Sequence, residues 1–370
     1  METETGVIFS LTGDVMLGRG IDQVLPHPGD PHLYESWICD ARDYVELAER
    51  AHGPIPRPVD EAYVWGDALA AMKRTPPHAR IVNLETSITT SRDLAHKGIN
   101  YKMNPKNVGC LTAAGVDCCV LANNHVLDWG VSGLIETLES LKTAGIRYAG
   151  AGRDADEAAA PASVDVADGH RAVIFGFGLE SSGIPRSWRA GSSRPGVNLL
   201  SNTSEKTISA VADRALAAKR EGDLLVASLH WGRNWGYDIP LEHRVFAHRL
   251  IDAADFAVIH GHSSHHPLAI EIYHNRLILY GCGDFITDYE GIAGHPAFRG
   301  DLAILYMSRH AVPSGALRSL TMRPFRVRNF RLGDPSAAEA AWLEATLDRE
   351  SKQFGTRVVS GTDKILSATW

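Results

Sequence analysis

The chain has 370 residues, 44% hydrophobic and 22% charged, with a formal charge of −7 and a pI near 6.2. That length and composition suit a globular protein of one large or two modest domains. The acidic balance gives no electrostatic case for nucleic acid or a membrane surface as partner. No run reaches the roughly 20 apolar residues that a spanning helix needs.

The start, METETGVIFSLTGD, runs into a strand almost at once and has no basic region followed by a cleavage site, so it does not read as a signal peptide. VIFSLTGDV (7–15) is the first predicted strand and stops at Gly13-Asp14. The stretch 26–60, rich in Pro, Gly and charge, reads as a loop or lid, and so does 181–204. ARIVNLE (79–85) and DCCVLAN (117–123) are the next strands. A helix follows, with Leu134, Leu138 and Leu141 at helical spacing and Gly145 as its stop.

Strands are then expected near Arg147–Ala149, at 172–178, at 223–232 and at 256–262. The segment 240–254 reads as an amphipathic helix entered at Pro240. LAIEIYHNRLILYGCGDF alternates with a period of two and turns at His274-Asn275, the pattern of a hairpin. More strands fall within 301–332, and 336–354 reads as a helix. Strands alternating with helices indicate an α/β protein with layered, mixed sheets and flanking helices. One domain over 1–335 with a C-terminal helical extension over 336–370 is expected.

Five cysteines (Cys39, Cys110, Cys118, Cys119 and Cys282) are too irregularly spaced for a disulfide framework or a zinc ribbon. They point to a reducing, cytoplasmic compartment.

Polar residues gather where the predicted strands end. Asp14 closes the first strand, and Asn83 with Glu85 the second. Asn124, His125 and Asp128 follow the third. His230 ends a later strand, HGHSSHH (260–266) the next, and Gly283-Asp284 the last strand of the hairpin region. Open α/β sheets bind ligands beyond the carboxyl ends of their strands, so these groups are expected to share one crevice. Each has an ordinary alternative: a turn for Asp14, a solvated charge for Glu85, a helix cap for Asn124 or Asp128, a core position for His230. All four would have to hold together. Carboxylates, an amide oxygen and imidazoles suit one or two divalent cations such as Zn²⁺, Mn²⁺ or Fe²⁺.

GDVMLGR, NLETSIT, the block from Tyr101 to Gly152 containing NNHVLDWG, SLHWG, IHGHSSHHP and ILYGCGDF occur in that order. Together they resemble the CapA family of poly-γ-glutamate synthesis proteins, whose fold is similar to that of calcineurin-like metallophosphoesterases. The resemblance spans roughly residues 7 to 290. It implies a metallophosphoesterase-type sandwich with Asp14, Glu85, Asn124, His230, His262 and His265 as metal ligands. His125, Asp128 and Asp14 take the catalytic positions, with His125 as acid or electrostatic stabiliser. Arg19, Lys102, Asn83 and Asp284 are expected to meet substrate. The implied activity is metal-dependent hydrolysis or transfer of a γ-glutamyl or peptide-type amide, in polymer metabolism or on a small molecule. A phosphomonoesterase or phosphodiesterase, or a non-catalytic accessory protein, are the rival expectations.

Several positions depart from the pattern. Phosphoesterases of this fold usually carry Asp-x-His in the first motif, whereas Asp14 is followed by Val15-Met16. The family's Gly-Asn-Phe is Gly283-Asp284-Phe285 here, its frequent Glu after His-Trp-Gly is Asn234, and its His-Pro-His becomes His262-Ser263-Ser264-His265.

Overall fold

Alternation along the first strand, Gly6–Val15, sets the layering. Val7, Phe9 and Leu11 pack into one apolar cluster and Ile8 into another on the opposite face, as a period of two requires; an irregularity in the pairing beyond Leu11 breaks the period and brings Val15 to the face of Ile8. The computed structural model describes residues 6–292 and 294–370; the approach to the strand at residues 1–5 lies outside the described residues.

This strand sits within a mixed sheet. From edge to edge the order is Arg357–Ser360, Leu366–Thr369, Leu317–Arg328, Leu302–Ala311, Gly6–Val15, Ala79–Leu84, Cys118–Val120 and Arg147–Ala149. The last four run parallel and the others antiparallel. A second sheet runs Ile270–Tyr273, Arg276–Leu279, Phe256–His262, Leu224–His230, Arg171–Gly178 and Ala162–Asp165, its four central strands parallel. The two sheets face each other across a shared core that includes Phe9, Ile81 and Val120 from the first and Ile174, Val226 and Val258 from the second. Helices Arg42–His52, Asp67–Arg74 and Gly130–Thr143 cover the outer face of the first sheet through Val45, Met72, Leu134, Leu138 and Leu141. Glu205–Ala218 and Leu241–Ala254 cover the second through Val211, Phe246 and Leu250. The result is a layered α/β protein with mixed sheets and flanking helices.

The same alternation carries polar groups into the space between the sheets. On Leu224–His230 the inward positions are Leu224 and Val226, and Ser228 and His230 continue that face. On Phe256–His262, Val258 is followed inward by His260 and His262. Register places Ser228 beside His260 and His230 beside His262. The interior therefore turns from apolar to polar toward the carboxyl ends of the strands.

At the corresponding end of Gly6–Val15, the short strand Asp284–Ile286 runs parallel to it, with Asp14 opposite Asp284. The approach is close enough that a Cβ on Gly13 would lie 1.6 Å from the Gly283 carbonyl oxygen. Gly13 is therefore a packing requirement, beyond any turn preference.

Two expectations need correction. The 26–60 stretch contains the helix Arg42–His52, which buries Tyr44, Val45 and Ala48; the Pro and Gly around it masked an eleven-residue amphipathic segment. The expected C-terminal helix forms at Ala337–Ser351, closed at its start by a Ser336/Glu339 capping box. Two strands, Arg357–Ser360 and Leu366–Thr369, follow it and extend the first sheet, so the extension is not purely helical.

Candidate metal centre

Asp14 lies at the meeting point of the two sheets and is fully buried. Its Oδ1 accepts a hydrogen bond from the Asn83 amide at 2.7 Å, while its Oδ2 is buried with no hydrogen-bond partner among the described residues. Asp284, alongside it, presents Oδ1 to His265 Nδ1 at 2.9 Å and leaves Oδ2 equally buried and unpartnered. An unpaired buried carboxylate oxygen costs free energy, and two side by side are a standing invitation to a cation.

Imidazoles line the facing side. Asp14, His230 and His262 offer ligand atoms within 4.8 Å of one another, and so do Asp14, His265 and Asp284. Glu85 Oε1 stands 3.7 Å from His230 Nε2, and Asn124 Oδ1 stands 2.9 Å from the same nitrogen. Behind them, His230 Nδ1 meets His262 Nδ1 at 2.8 Å, and Ser228 Oγ lies 2.9 Å from both His262 Nε2 and His260 Nδ1. His260 Nε2 donates to the Thr12 carbonyl at 2.8 Å, tying the second sheet to the first just before Asp14.

The electrostatics follow from burial and crowding. Desolvation, reinforced by Asp284, pushes the Asp14 carboxyl up to about 7. Desolvation and the Asp14 charge raise Glu85 well above the usual carboxylate range. Burial holds His230 and His262 well below the ordinary imidazole value, so both are neutral and carry a lone pair. For His265 burial pulls the value down, yet the Asp284 carboxylate outweighs it and the imidazole titrates above its usual value. The neutral imidazoles of His230 and His262, beside acids reluctant to ionise without a counter-charge, have the chemistry of a divalent-cation cradle, and the unpaired Asp14 and Asp284 oxygens fit one.

His125 belongs to an adjoining group. Its Nδ1 lies 2.6 Å from Asp128 Oδ2, and its ring stacks on Tyr101 at 4.0 Å. Asp128 also accepts from the Tyr101 backbone N–H at 2.7 Å. The Lys97 ammonium sits 2.8 Å from Asp128 Oδ1, as an ion pair bent away from hydrogen-bond geometry, and donates to the Asn124 carbonyl. Burial is the largest influence on His125 and lowers it to about 4, with Asp128 opposing and Lys97 assisting. Asn123 holds the turn: its Oδ1 accepts from the backbone of His125 and Val126, and its Nδ2 donates to Asn83 Oδ1 and the Leu84 carbonyl.

The structure brings together Asp14, Glu85, Asn124, His230, His262, His265 and Asp284, with His125 and Asp128 alongside. Asn83, expected at the substrate, has its amide spent on Asp14 and on Asn123; it positions Asp14 instead. Asp284, also expected at the substrate, is buried among the metal-type donors. Lys102 lies over the Trp129 ring at 3.7 Å, half-buried.

Arg19 is not free for a substrate. Its guanidinium pairs with Asp288 and with Glu35 (2.9 Å), donates to Tyr44 Oη, and lies over the Tyr44 ring at 3.9 Å, all in a buried setting. Removing one member of a buried ion network leaves the others uncompensated. Arg19→Met is accordingly expected to destabilise the protein by about 3–5 kcal/mol in urea unfolding. A loss within the range of surface substitutions would contradict this assignment.

Lys97, Tyr101 and Ser228 were missed. Ser228 was open to detection, because it shares the inward face with His230 two residues on. Lys97 was not, since it lies in an irregular loop whose sequence carries no periodic signal.

Comparison with known proteins agrees with this geometry in extent. The family model described as bacterial capsule synthesis protein PGA_cap matches residues 8–289. A probable polyglutamine synthesis accessory protein of Mycobacterium tuberculosis, in strains CDC 1551 and H37Rv, is 48% identical over 362 residues, 97% of this chain and 95% of its own. The PGA biosynthesis protein CapA of Bacillus subtilis is 28% identical over 281 residues, covering 75% of this chain and 63% of its own length. The capsule biosynthesis protein CapA of Bacillus anthracis is 23% identical over 280 residues, 76% and 59% respectively.

Proposed function

The chain belongs to the bacterial capsule synthesis protein family PGA_cap, and from that premise we propose that it is an accessory protein of glutamate-polymer synthesis built around a divalent-metal centre. The observation that carries the reading is the pair of unpartnered buried carboxylate oxygens, on Asp14 and Asp284, facing neutral buried imidazoles. The two facing sheets with helices outside are read as a metallophosphoesterase-type sandwich. Asp14, Glu85, Asn124 and His230 would hold the cation, with His262 behind or beside His230. No helix among the described residues is long and apolar enough to cross a membrane.

A bound Mn²⁺, Zn²⁺ or Fe²⁺ would supply Lewis acidity and lower the pKa of water toward about 7. The protein's own residues do the rest. His125, with Nδ1–H committed to Asp128, is neutral and has an unprotonated Nε2, which can take a proton from the attacking water and then pass that same proton to the leaving group. Lys97 and Asp128 fix its ring and tautomer. Asn83 and Asn123 hold Asp14 and the Asn124 turn in place. Such a site suits hydrolysis or transfer at a γ-glutamyl or peptide-type amide, the linkage class of a glutamate polymer.

The accessory role named for the Mycobacterium tuberculosis relatives also accommodates a second reading, in which the metal centre is kept without catalysis. Incubating the Mn²⁺-loaded protein with γ-glutamyl peptides and with p-nitrophenyl phosphate separates the alternatives. Chelator-sensitive release of glutamate supports the amide reading. Cleavage of the phosphate ester alone overturns it in favour of a phosphoesterase. Metal binding with neither activity supports the non-catalytic role.

The pH dependence of binding also has a sign. Below about 7 the metal-free site keeps a proton on Asp14, which a cation must displace. Affinity measured by calorimetry is expected to fall at least about tenfold per pH unit below that point, for the proton that Asp14 releases, and more steeply where Glu85, also raised by burial, must release one too. An affinity flat between pH 5 and 7 would exclude Asp14 as a ligand.

A further inference from the structure

Two phenols on the flank of the metal centre hold one more hydrogen than they use. The hydroxyl oxygens of Tyr101 and Tyr289, 188 residues apart in the chain, meet at 2.7 Å. Between them they carry two O–H groups, and this contact uses one. No other hydrogen bond reaches either hydroxyl among the described residues, so one O–H is left without an acceptor. Exposure decides which. Tyr101 is 3% exposed, and a stranded O–H there would be costly. Tyr289 is half-buried, so its hydrogen can turn toward solvent or a ligand. Tyr101 is therefore the donor within the pair, and Tyr289 keeps the spare proton.

The pair stands between the two groups already described. The Tyr101 ring stacks on His125 with centroids 4.0 Å apart, and the Tyr289 ring meets His265 edge to face at 5.7 Å. Burial, the Tyr101 phenol and the Asp284 carboxylate together hold Tyr289 well above the ordinary phenol value, so it stays protonated and able to donate. Arg19 lies behind both rings, its guanidinium 4.8 Å from the Tyr101 centroid and 5.6 Å from that of Tyr289. Tied to Asp288 and Glu35, Arg19 cannot reach a ligand. Its charge polarises the phenols toward donation instead.

We infer that the Tyr289 hydroxyl, backed by Tyr101, donates a hydrogen bond to an anionic oxygen of the ligand held at the metal centre, a role that rests on the metal-centre reading. The side chains around it are rich in acceptors, with Asp14, Glu85 and Asp284 all buried there, so a neutral donor fixed in place supplies what the carboxylates cannot. In amide hydrolysis that oxygen is the one on which charge develops at the attacked carbonyl, and a preset donor strengthens as the charge grows. A phosphoryl group carries the same kind of oxygen, so the role does not depend on which linkage is cut.

The test is calorimetric binding of inorganic phosphate, a tetrahedral oxyanion, to the Mn²⁺-loaded full chain. Tyr289→Phe keeps the ring against His265 and is expected to weaken phosphate binding about 10–100-fold, as for a lost hydrogen bond to a charged group, with Mn²⁺ content unchanged. Tyr101→Phe leaves the Tyr289 proton in place and is expected to give a smaller loss. Equal phosphate affinity in wild type and Tyr289→Phe, or a larger loss in Tyr101→Phe, would overturn the inference and leave the metal centre standing. Mn²⁺-loaded wild type that binds no phosphate would do the same. Loss of Mn²⁺ from Tyr289→Phe would overturn it too, by making the phenol part of the cradle. No Mn²⁺ uptake by wild type would instead remove the metal-centre reading, and this inference with it.

Discussion

His230→Ala is expected to weaken divalent-cation binding at its site by at least about 100-fold, since even residues standing behind metal ligands contribute about 10–100-fold. His230 is where the two sheets' polar ends meet. One ring nitrogen faces Asn124 Oδ1 at 2.9 Å with Glu85 at 3.7 Å, and the other meets His262. Burial keeps it neutral, which is the ligating form. A cation at about 100 times its dissociation constant stabilises a folded protein by about 2.7 kcal/mol. Wild type should therefore melt at a higher temperature with Mn²⁺ than with a chelator, and His230→Ala should lose that difference. A variant that still gains stability from the metal would place the cation elsewhere.

His125→Ala is expected to lower γ-glutamyl hydrolysis by about 10²–10⁴-fold, the range of a positioned general acid or base, with metal content unchanged. The geometry separates the two roles. His125 Nδ1 is spent on Asp128 at 2.6 Å, and its ring is held flat against Tyr101. The hydrogen bonds of its side chain among the described residues run through Nδ1, to Asp128 and Lys97. Asp128→Asn should give a smaller loss, because it disturbs the tautomer and ring without deleting the proton carrier. Loss of metal in His125→Ala would make His125 part of the cradle instead.

Much of this was legible in the sequence because strand ends announce themselves. The apolar runs of 7–15, 223–232 and 256–262 each finish on a polar group, and the structure carries Asp14, His230 and His262 to one place. Period-two reading would also have put Ser228 behind them, on the face it shares with His230. What stayed hidden depended on long-range pairing. Arg19 looked available because its partner Asp288 lies 269 residues away. The strands Arg357–Ser360 and Leu366–Thr369 are four residues each, too short for a period to register; the second pairs with the Leu317–Arg328 edge and the first pairs with the second. The helix Arg42–His52 was obscured by its Pro- and Gly-rich surroundings, although its buried Tyr44 turns out to hold Arg19.

Crystals of the full chain soaked in Mn²⁺ and measured for anomalous scattering test the cradle most directly. A peak is expected within about 2.0–2.3 Å of donor atoms of Asp14, Asn124 and His230, the span of divalent-metal bonds to oxygen and nitrogen. Anomalous density confined to surface carboxylates, with the interior between the sheets empty, would contradict the reading outright.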